Sequence, residues 1–146
     1  MRAGANAATF LPGMRLHGTT VLLVEDDVDN LEMLASGLEE AGAHVVQASS
    51  VGSALAAASA HRVDVLVSDM ELPDGDGCAL LRELRQRDGC RALPAIAVSG
   101  YSDKLWRTQA TGVGFNRYAI KPFSMDYLVD LVLLLRRGGD DQGATL

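Results

Sequence analysis

The sequence predicts an α/β domain in which helices cover both faces of a five-stranded parallel sheet, giving three layers. Short apolar runs rich in β-branched residues recur along the chain, and a segment whose apolar residues have helical spacing follows each run. This alternation is typical of doubly wound (βα)5 sheets, because two parallel strands can be joined only through a long crossover, usually a helix. A chain of 146 residues is long enough for one such domain with its own core.

The predicted strands are the five apolar runs themselves. They are Val21–Val24, Val45–Ala48, Val63–Ser68, Ala95–Ser99 and Tyr118–Ile120. The helix after the first strand is predicted from Leu31, Leu34 and Leu38, which recur on one helical face. Asp29 or Asn30 is the predicted N-cap of this helix, since a short acceptor side chain there satisfies a free backbone N–H.

The other four helices follow the later strands. They are Val51–Ala60, Ala79–Arg87, Asp103–Thr111 and Met125–Arg137. Ser124 is the predicted N-cap of the last helix. The last helix is apolar around more than one face, so we expect a part of its surface to pair with a second copy or another protein.

Composition and patterning predict the domain boundaries, the kinds of partner and the cellular compartment. We expect a folded domain at 19–137 between an N-terminal tail at 1–18 and a C-terminal tail at 138–146. The net charge of −6 disfavours direct nucleic-acid binding, which needs a basic face. No apolar run is long enough to insert into a membrane. The two cysteines lack CxxC spacing, so a reducing cytoplasm is the simpler location.

Polar side chains follow four of the five predicted strands. Glu25–Asp27 follow the first strand, Asp69 the third, and Lys121 the fifth, while Ser99 ends the fourth. Each has an ordinary structural explanation when it is taken alone: a first helical turn, a loop cap, a turn residue or a solvated charge. Because ligands bind outside the carboxyl ends of such sheets, their joint occurrence predicts one site.

Electrostatics indicates what such a site binds. Carboxylates about 4 Å apart repel by about 4 kcal/mol at an effective dielectric near 20, so Glu25, Asp26 and Asp69 can converge only around a cation or a proton. Oxygen ligands without His or Cys suit Mg²⁺, which takes one or two carboxylates and phosphate oxygens. Lys121 can pair with a phosphoryl group and Ser99 can donate to it. The residues therefore predict phosphoryl transfer with one carboxylate as nucleophile.

Four separated motifs resemble the receiver domains of two-component response regulators, the CheY-like superfamily. They are LLVEDD, VLVSDMELPDGDG, AIAVSGY and GFNRYAIKPF, within a resemblance that covers Thr19 to Arg137. The resemblance implies a flavodoxin-like fold with strand order 2-1-3-4-5. The chain is most similar to single-domain regulators or to the C-terminal receivers of hybrid histidine kinases.

The resemblance implies roles for the acids. Asp69 matches the phosphoacceptor, and Asp26 matches the acid that binds Mg²⁺ directly together with Asp69. Glu25 would act on the metal through water, and the backbone carbonyl of Glu71 would be the third protein ligand. Asp27 is an additional acid that we do not expect to bind the metal.

The resemblance also implies a switch. Ser99 matches the switch hydroxyl, Tyr118 the switch aromatic, and Lys121 the lysine that pairs with the phosphate, with a cis Lys121–Pro122 bond. Phosphate on Asp69 would reshape the face made by the fourth helix, the last strand and the last helix. The donor would be a histidine kinase or a histidine phosphotransfer protein, and the output a downstream protein or a homodimer.

The expected function is therefore signalling rather than classical enzymology. Two alternatives remain open at this point. One is an enzyme resembling phosphatases that form an aspartyl-phosphate intermediate, although Asp69-Met70-Glu71 lacks the second Asp expected for a general acid. The other is a binding module that keeps the fold and works without phosphorylation.

Overall fold

The computed structural model describes the backbone of residues 15–100 and 104–145, and the side chains of 15–100 and 107–136. Five strands form the main sheet: β1 (Thr20–Val24), β2 (His44–Ala48), β3 (Val65–Asp69), β4 (Ala95–Ser99) and β5 (Arg117–Ile120). Five helices connect and follow them: α1 (Val28–Glu40), α2 (Val51–Ala60), α3 (Gly77–Arg85), α4 (Lys104–Val113) and α5 (Met125–Thr145). Asp103, the predicted start of α4, lies outside the described residues.

The main sheet is parallel throughout, with strand order β2-β1-β3-β4-β5. This confirms the predicted class and the order that the family resemblance implies. The chain builds outward from β1 to β2 and then crosses to β3 on the other side of β1. The order therefore reverses between β1 and β3, where Val24 pairs with Ser68, so the residues that follow these two strands lie side by side.

The three central strands, β1, β3 and β4, are buried on both faces because they are apolar at consecutive positions. In β1, Val21 and Leu23 belong to a core with α1 and α5, while Leu22 and Val24 belong to a core with α2 and α3. All four side chains are at most 1% exposed. A side chain in a strand alternates between faces, so a strand buried on both sides has no polar positions before its tip. The first polar residues after β1 are consequently at the sheet edge.

Of the two predicted helix caps, one is wrong and one is confirmed. The N-cap of α1 is Asp27, not Asp29 or Asn30: its carboxylate accepts a hydrogen bond from Asn30 N at 3.0 Å. The helix begins two or three residues closer to β1 than the predicted caps imply, and Asp29 lies within its first turn. Ser124 caps α5 as predicted, since Tyr127 N donates to its Oγ at 3.1 Å.

Described structure is found on both sides of residues 19–137, and the domain bounds themselves stay a prediction. Leu16 is fully buried in the core beside α1 and α5, and its N–H donates to Ala41 O at 2.7 Å. Arg15 forms an ion pair with Asp130 of α5. Backbone hydrogen bonding continues α5 to Thr145, past the predicted end at Arg137, because glycines weaken a helix without removing its N–H donors.

Candidate functional site

Three carboxylates meet at the carboxyl edge of the sheet. One side-chain oxygen each from Glu25, Asp26 and Asp69 lies within 4.8 Å of the others. Glu25 and Asp26 directly follow β1, and Asp69 is the last residue of the neighbouring β3. Glu25 is only 2% exposed, whereas Asp26 is exposed. The structure therefore brings together the three acids that the sequence predicted to converge.

Lys121 supplies the positive charge of the pocket. Its Nζ lies 3.3 Å from Glu25 Oε1 and 3.8 Å from Asp69 Oδ2. The backbone holds it there, because Lys121 N donates to Ser99 O at 2.8 Å at the end of the β4–β5 pairing. The Lys121–Pro122 bond is cis, as the resemblance implied. One cation thus faces two of the three carboxylates.

Burial raises the pKa of Glu25 above its ordinary value, and the charge of Asp69 raises this pKa further. Two contacts act in the opposite direction: Asp27 N donates to Glu25 Oε2 at 3.1 Å, and Lys121 is the neighbouring cation. The upward shift is the physical consequence of placing several acids in a partly dry pocket. The pocket therefore favours an added positive charge, from either a proton or a metal ion.

This donor set fits a hard divalent cation. The three residues of the cluster all carry carboxylates, and the cluster contains no His or Cys. Oxygen donors at a partly buried, mutually repelling site are what Mg²⁺ or a similar ion takes in proteins. The exposed Asp26 leaves the pocket open to water on one side. Which residues coordinate an ion stays a prediction at this stage.

The loop after Asp69 is held close beneath the pocket. Glu71 N donates to Asp69 Oδ1 at 3.3 Å, and Gly77 N donates to Met70 O at 3.0 Å. A Cβ at position 77 would lie 2.8 Å from the carbonyl oxygen of Asp69, so only glycine fits without a backbone shift. Glu71–Leu72 pairs antiparallel with Gly75–Asp76 in a short ladder. The loop is therefore a closed hairpin rather than a loose connection.

Ser99 and Tyr118 lie on the β4–β5 side of the site. Ser99 is 2% exposed at the end of β4, one residue beyond Val98, which pairs with Asp69. The Tyr118 hydroxyl hydrogen-bonds with Thr111 Oγ1 and donates to Arg107 O at 3.4 Å, so it points toward α4. Their switching roles stay predictions.

Sequence reasoning missed two side chains around this site. Thr111 bonds to Tyr118 from α4, and Asp74 in the loop after Asp69 bonds to the first turn of α2. The Pro-Asp-Gly sequence at 73–75 predicts the turn but not the contact that Asp74 makes with α2.

No helix among the described residues has the length and apolar character needed to cross a bilayer.

Comparison with known proteins gives a consistent family. A family model described as the response regulator receiver domain matches residues 21–133. The KDP operon transcriptional regulatory protein KdpE of Escherichia coli is 35% identical over 120 residues, which are 82% of this chain and 52% of that protein. The chain thus spans about half the length of such curated relatives.

Solved structures agree with this assignment. The chemotaxis response regulator CheY4 of Vibrio cholerae is 25% identical with a TM-score of 0.76, over 80% of this chain and 98% of that one. The receiver domain of sensor histidine kinase PA1611 from Pseudomonas aeruginosa, solved with a magnesium ion coordinated in its active site cleft, is 28% identical. Its TM-score is 0.76, and the match covers 82% of this chain and 98% of that one. With most of its length matched by the family model and its fold and acidic pocket in agreement, the chain belongs to the response regulator receiver domains of two-component systems.

Proposed function

We propose that Asp69 accepts a phosphoryl group from a phosphohistidine on a histidine kinase or a histidine phosphotransfer protein. The observation that carries this proposal is the meeting of Asp69 with two further acids and with Lys121, whose Nζ lies 3.8 Å from Asp69 Oδ2. A carboxylate nucleophile needs a nearby cation to receive a dianionic group, because the two would otherwise repel. Receiver domains are signalling proteins and not enzymes in the usual sense.

The transfer is a displacement at phosphorus. A carboxylate oxygen of Asp69 forms the new O–P bond while the P–N bond to the donor imidazole breaks, and the imidazole keeps the electron pair and takes up a proton. Lys121 offsets the charge on the phosphoryl oxygens, and Ser99 donates its hydroxyl to one of them. Once formed, the acyl phosphate is lost by hydrolysis, which the domain itself assists.

Mg²⁺ is the proposed cofactor. Asp26 and Asp69 would hold it directly, the carbonyl of Glu71 would complete the protein ligands, and Glu25 would act through water. When bound, Mg²⁺ supplies charge neutralisation for the phosphoryl oxygens. The proximity of the three acids and the raised pKa of Glu25 support this assignment.

The output is proposed to be a change of the face formed by α4, β5 and α5. Phosphate on Asp69 would draw in Ser99, and Tyr118 would leave its bond with Thr111 to turn inward. Inverting a 1:99 equilibrium requires about 5.5 kcal/mol of differential interaction, which a few charge-assisted hydrogen bonds can supply. Tyr127 and Leu134 of α5 are 45% and 48% exposed, so this face offers apolar contacts to a protein partner or a second copy.

We propose a cytoplasmic location with no direct nucleic-acid contact by the receiver domain. Its net charge is −6, and Cys78 and Cys90 are free thiols. The description of KdpE as a transcriptional regulator applies to a protein of which this chain spans about half.

The test is intact-protein mass spectrometry after incubation with Mg²⁺ and a small acyl-phosphate donor. The wild type should gain the mass of one phosphoryl group, and Asp69→Asn should gain none. Asp29→Asn is the matched control, because Asp29 is an exposed acid in the first turn of α1 outside the cluster. Equal labelling of Asp69→Asn would refute the proposal. Sustained turnover of a phosphate ester would favour the phosphatase alternative, and a wild type that is never labelled would favour the phosphorylation-independent module.

A further inference from the structure

The hairpin after Asp69 carries one proposed Mg²⁺ ligand, the backbone carbonyl of Glu71, which no side-chain substitution can remove. The carbonyl of Glu71 belongs to the backbone, so its position depends on how the hairpin is held. The hairpin's own ladder consists of two residues on each side, Glu71–Leu72 and Gly75–Asp76. A ladder this short is not stable by itself, since isolated hairpins are at best marginal in water. Another contact has to fix its tip.

Asp74 makes that contact. At the tip of the hairpin, its Oδ1 accepts a hydrogen bond from Val51 N at 2.7 Å and its Oδ2 accepts one from Gly52 N at 2.9 Å. Both N–H groups belong to the first turn of α2, where backbone donors have no partner within the helix. The carboxylate also lies at the positive end of the helix dipole. Both oxygens are therefore used, and both bonds are charge-assisted.

The anchor is independent of the helix's own cap. Ser50 accepts from Ser53 N at 3.0 Å, and Ser53 Oγ accepts from Ser50 N at 3.1 Å, which closes a capping box. Asp74 therefore binds donors that this box leaves free, although it lies 23 positions beyond Val51 in the chain. A Cβ at Gly75 would lie 3.2 Å from Val51 Cγ2, so the hairpin is also packed closely on the helix.

The geometry points to Asp74 as a positioning residue of the phosphorylation site, which fixes the hairpin that carries the Glu71 carbonyl by tying its tip to α2. This inference rests on the proposed function, because it assumes that this carbonyl binds Mg²⁺. The anchor is rigid, since α2 packs on the sheet through Ala54, which is fully buried. The Asp74 carboxylate bonds to the backbone of α2 and not to the acids of the pocket, so it acts through the backbone of its hairpin.

The experiment compares wild type, Asp74→Ala, Asp74→Asn and Ser50→Ala in the 146-residue chain. Mg²⁺ affinity is measured by calorimetry, and exchange of the Val51 and Gly52 amides by NMR. We expect Asp74→Ala to weaken Mg²⁺ binding by about tenfold, as loss of a supporting contact does at other metal sites, and to speed exchange at both amides. Asp74→Asn keeps an acceptor oxygen but no charge, so its loss should be smaller.

Ser50→Ala is the matched control, because it weakens the same helix end without touching the hairpin. Its Mg²⁺ affinity should stay within about twofold of wild type, since none of its contacts reaches the hairpin. The inference is overturned if Asp74→Ala binds Mg²⁺ as tightly as wild type, or if Ser50→Ala loses as much affinity. If Asp74→Ala does not fold, Asp74→Asn provides the same comparison. If the wild type gains a phosphoryl group and Asp74→Ala keeps wild-type Mg²⁺ affinity, only the role of Asp74 is refuted. If the wild type fails to bind Mg²⁺, the proposed function is refuted.

Discussion

Replacing Asp26 with Asn should make the metal-free protein more stable. Its carboxylate lies within 4.8 Å of those of Glu25 and Asp69. At that distance two unit charges repel by about 0.9 kcal/mol at the dielectric of water and by about 3.5 kcal/mol at an effective dielectric of about 20. Because Asp26 is exposed, the lower figure applies to each pair, and Lys121 offsets part of the repulsion among its neighbours. We therefore expect a gain of about 1–2 kcal/mol in the free energy of unfolding.

The assay is urea unfolding at neutral pH, followed by circular dichroism, with a chelator and then with excess Mg²⁺. Wild type should gain stability on adding Mg²⁺, because an ion that binds only the folded state stabilises it by mass action. Asp26→Asn should start higher and gain little. Asp29→Asn removes the same charge from the same helix end outside the cluster, and it should show neither effect. An Asp26→Asn protein less stable than wild type in chelator would refute the reasoning, because the acids would then not repel.

Three further predictions test other parts of the structure. Burial raises the folded-state pKa of Glu25, so between the unfolded-state and folded-state pKa values the folded protein binds more protons than the unfolded chain. The free energy of unfolding should therefore fall as pH rises through that window. Measured with a chelator present, Glu25→Gln should flatten this pH dependence, and an unchanged pH dependence would contradict the raised pKa of Glu25. Leu16→Ala should lower the free energy of unfolding by about 2–4 kcal/mol in urea titration, and a loss below about 0.5 kcal/mol would mean that the turn does not belong to the core. Gly77→Ala should destabilise the protein and slow acyl-phosphate labelling, because the new Cβ would lie 2.8 Å from Asp69 O. Gly112→Ala is the control: its Cβ would have no heavy atom within 4 Å, so the substitution should be neutral or stabilising. Equal effects of the two variants would contradict the close packing at Gly77.

Much of the fold could be predicted because parallel strands buried on both faces leave a simple pattern. The central strands are largely apolar, and a charged residue lies at or directly after the tip of β1, β3 and β5. Glu25, Asp69 and Lys121 are therefore predictable from the sequence as the residues at the tips of β1, β3 and β5. Their convergence then followed from parallel geometry alone, since all carboxyl ends of such strands share one edge.

The remaining features depend on tertiary contacts that local pattern does not encode. Nothing in the spacing of residues distinguishes the buried Glu25 from the exposed Asp26, which precede α1 in the same loop. Leu16 is a single apolar residue outside any periodic segment, and only the neighbouring helices make it part of the core. Asp74 appears as an ordinary turn residue, because its partners are two amides of another helix. These contacts are defined by which elements meet, not by either element's sequence.

The turn at Arg15–Gly18 lies at the amino edge of the sheet and contacts α5, through the Arg15–Asp130 ion pair and the Arg136–His17 hydrogen bond. The acidic pocket occupies the opposite edge, roughly 17 Å away along five-residue strands. A fluorescent label attached to the Arg15–Gly18 turn would therefore lie away from the pocket. Such a label could report on phosphorylation through movement of α5, which contacts this turn through Asp130 and Arg136.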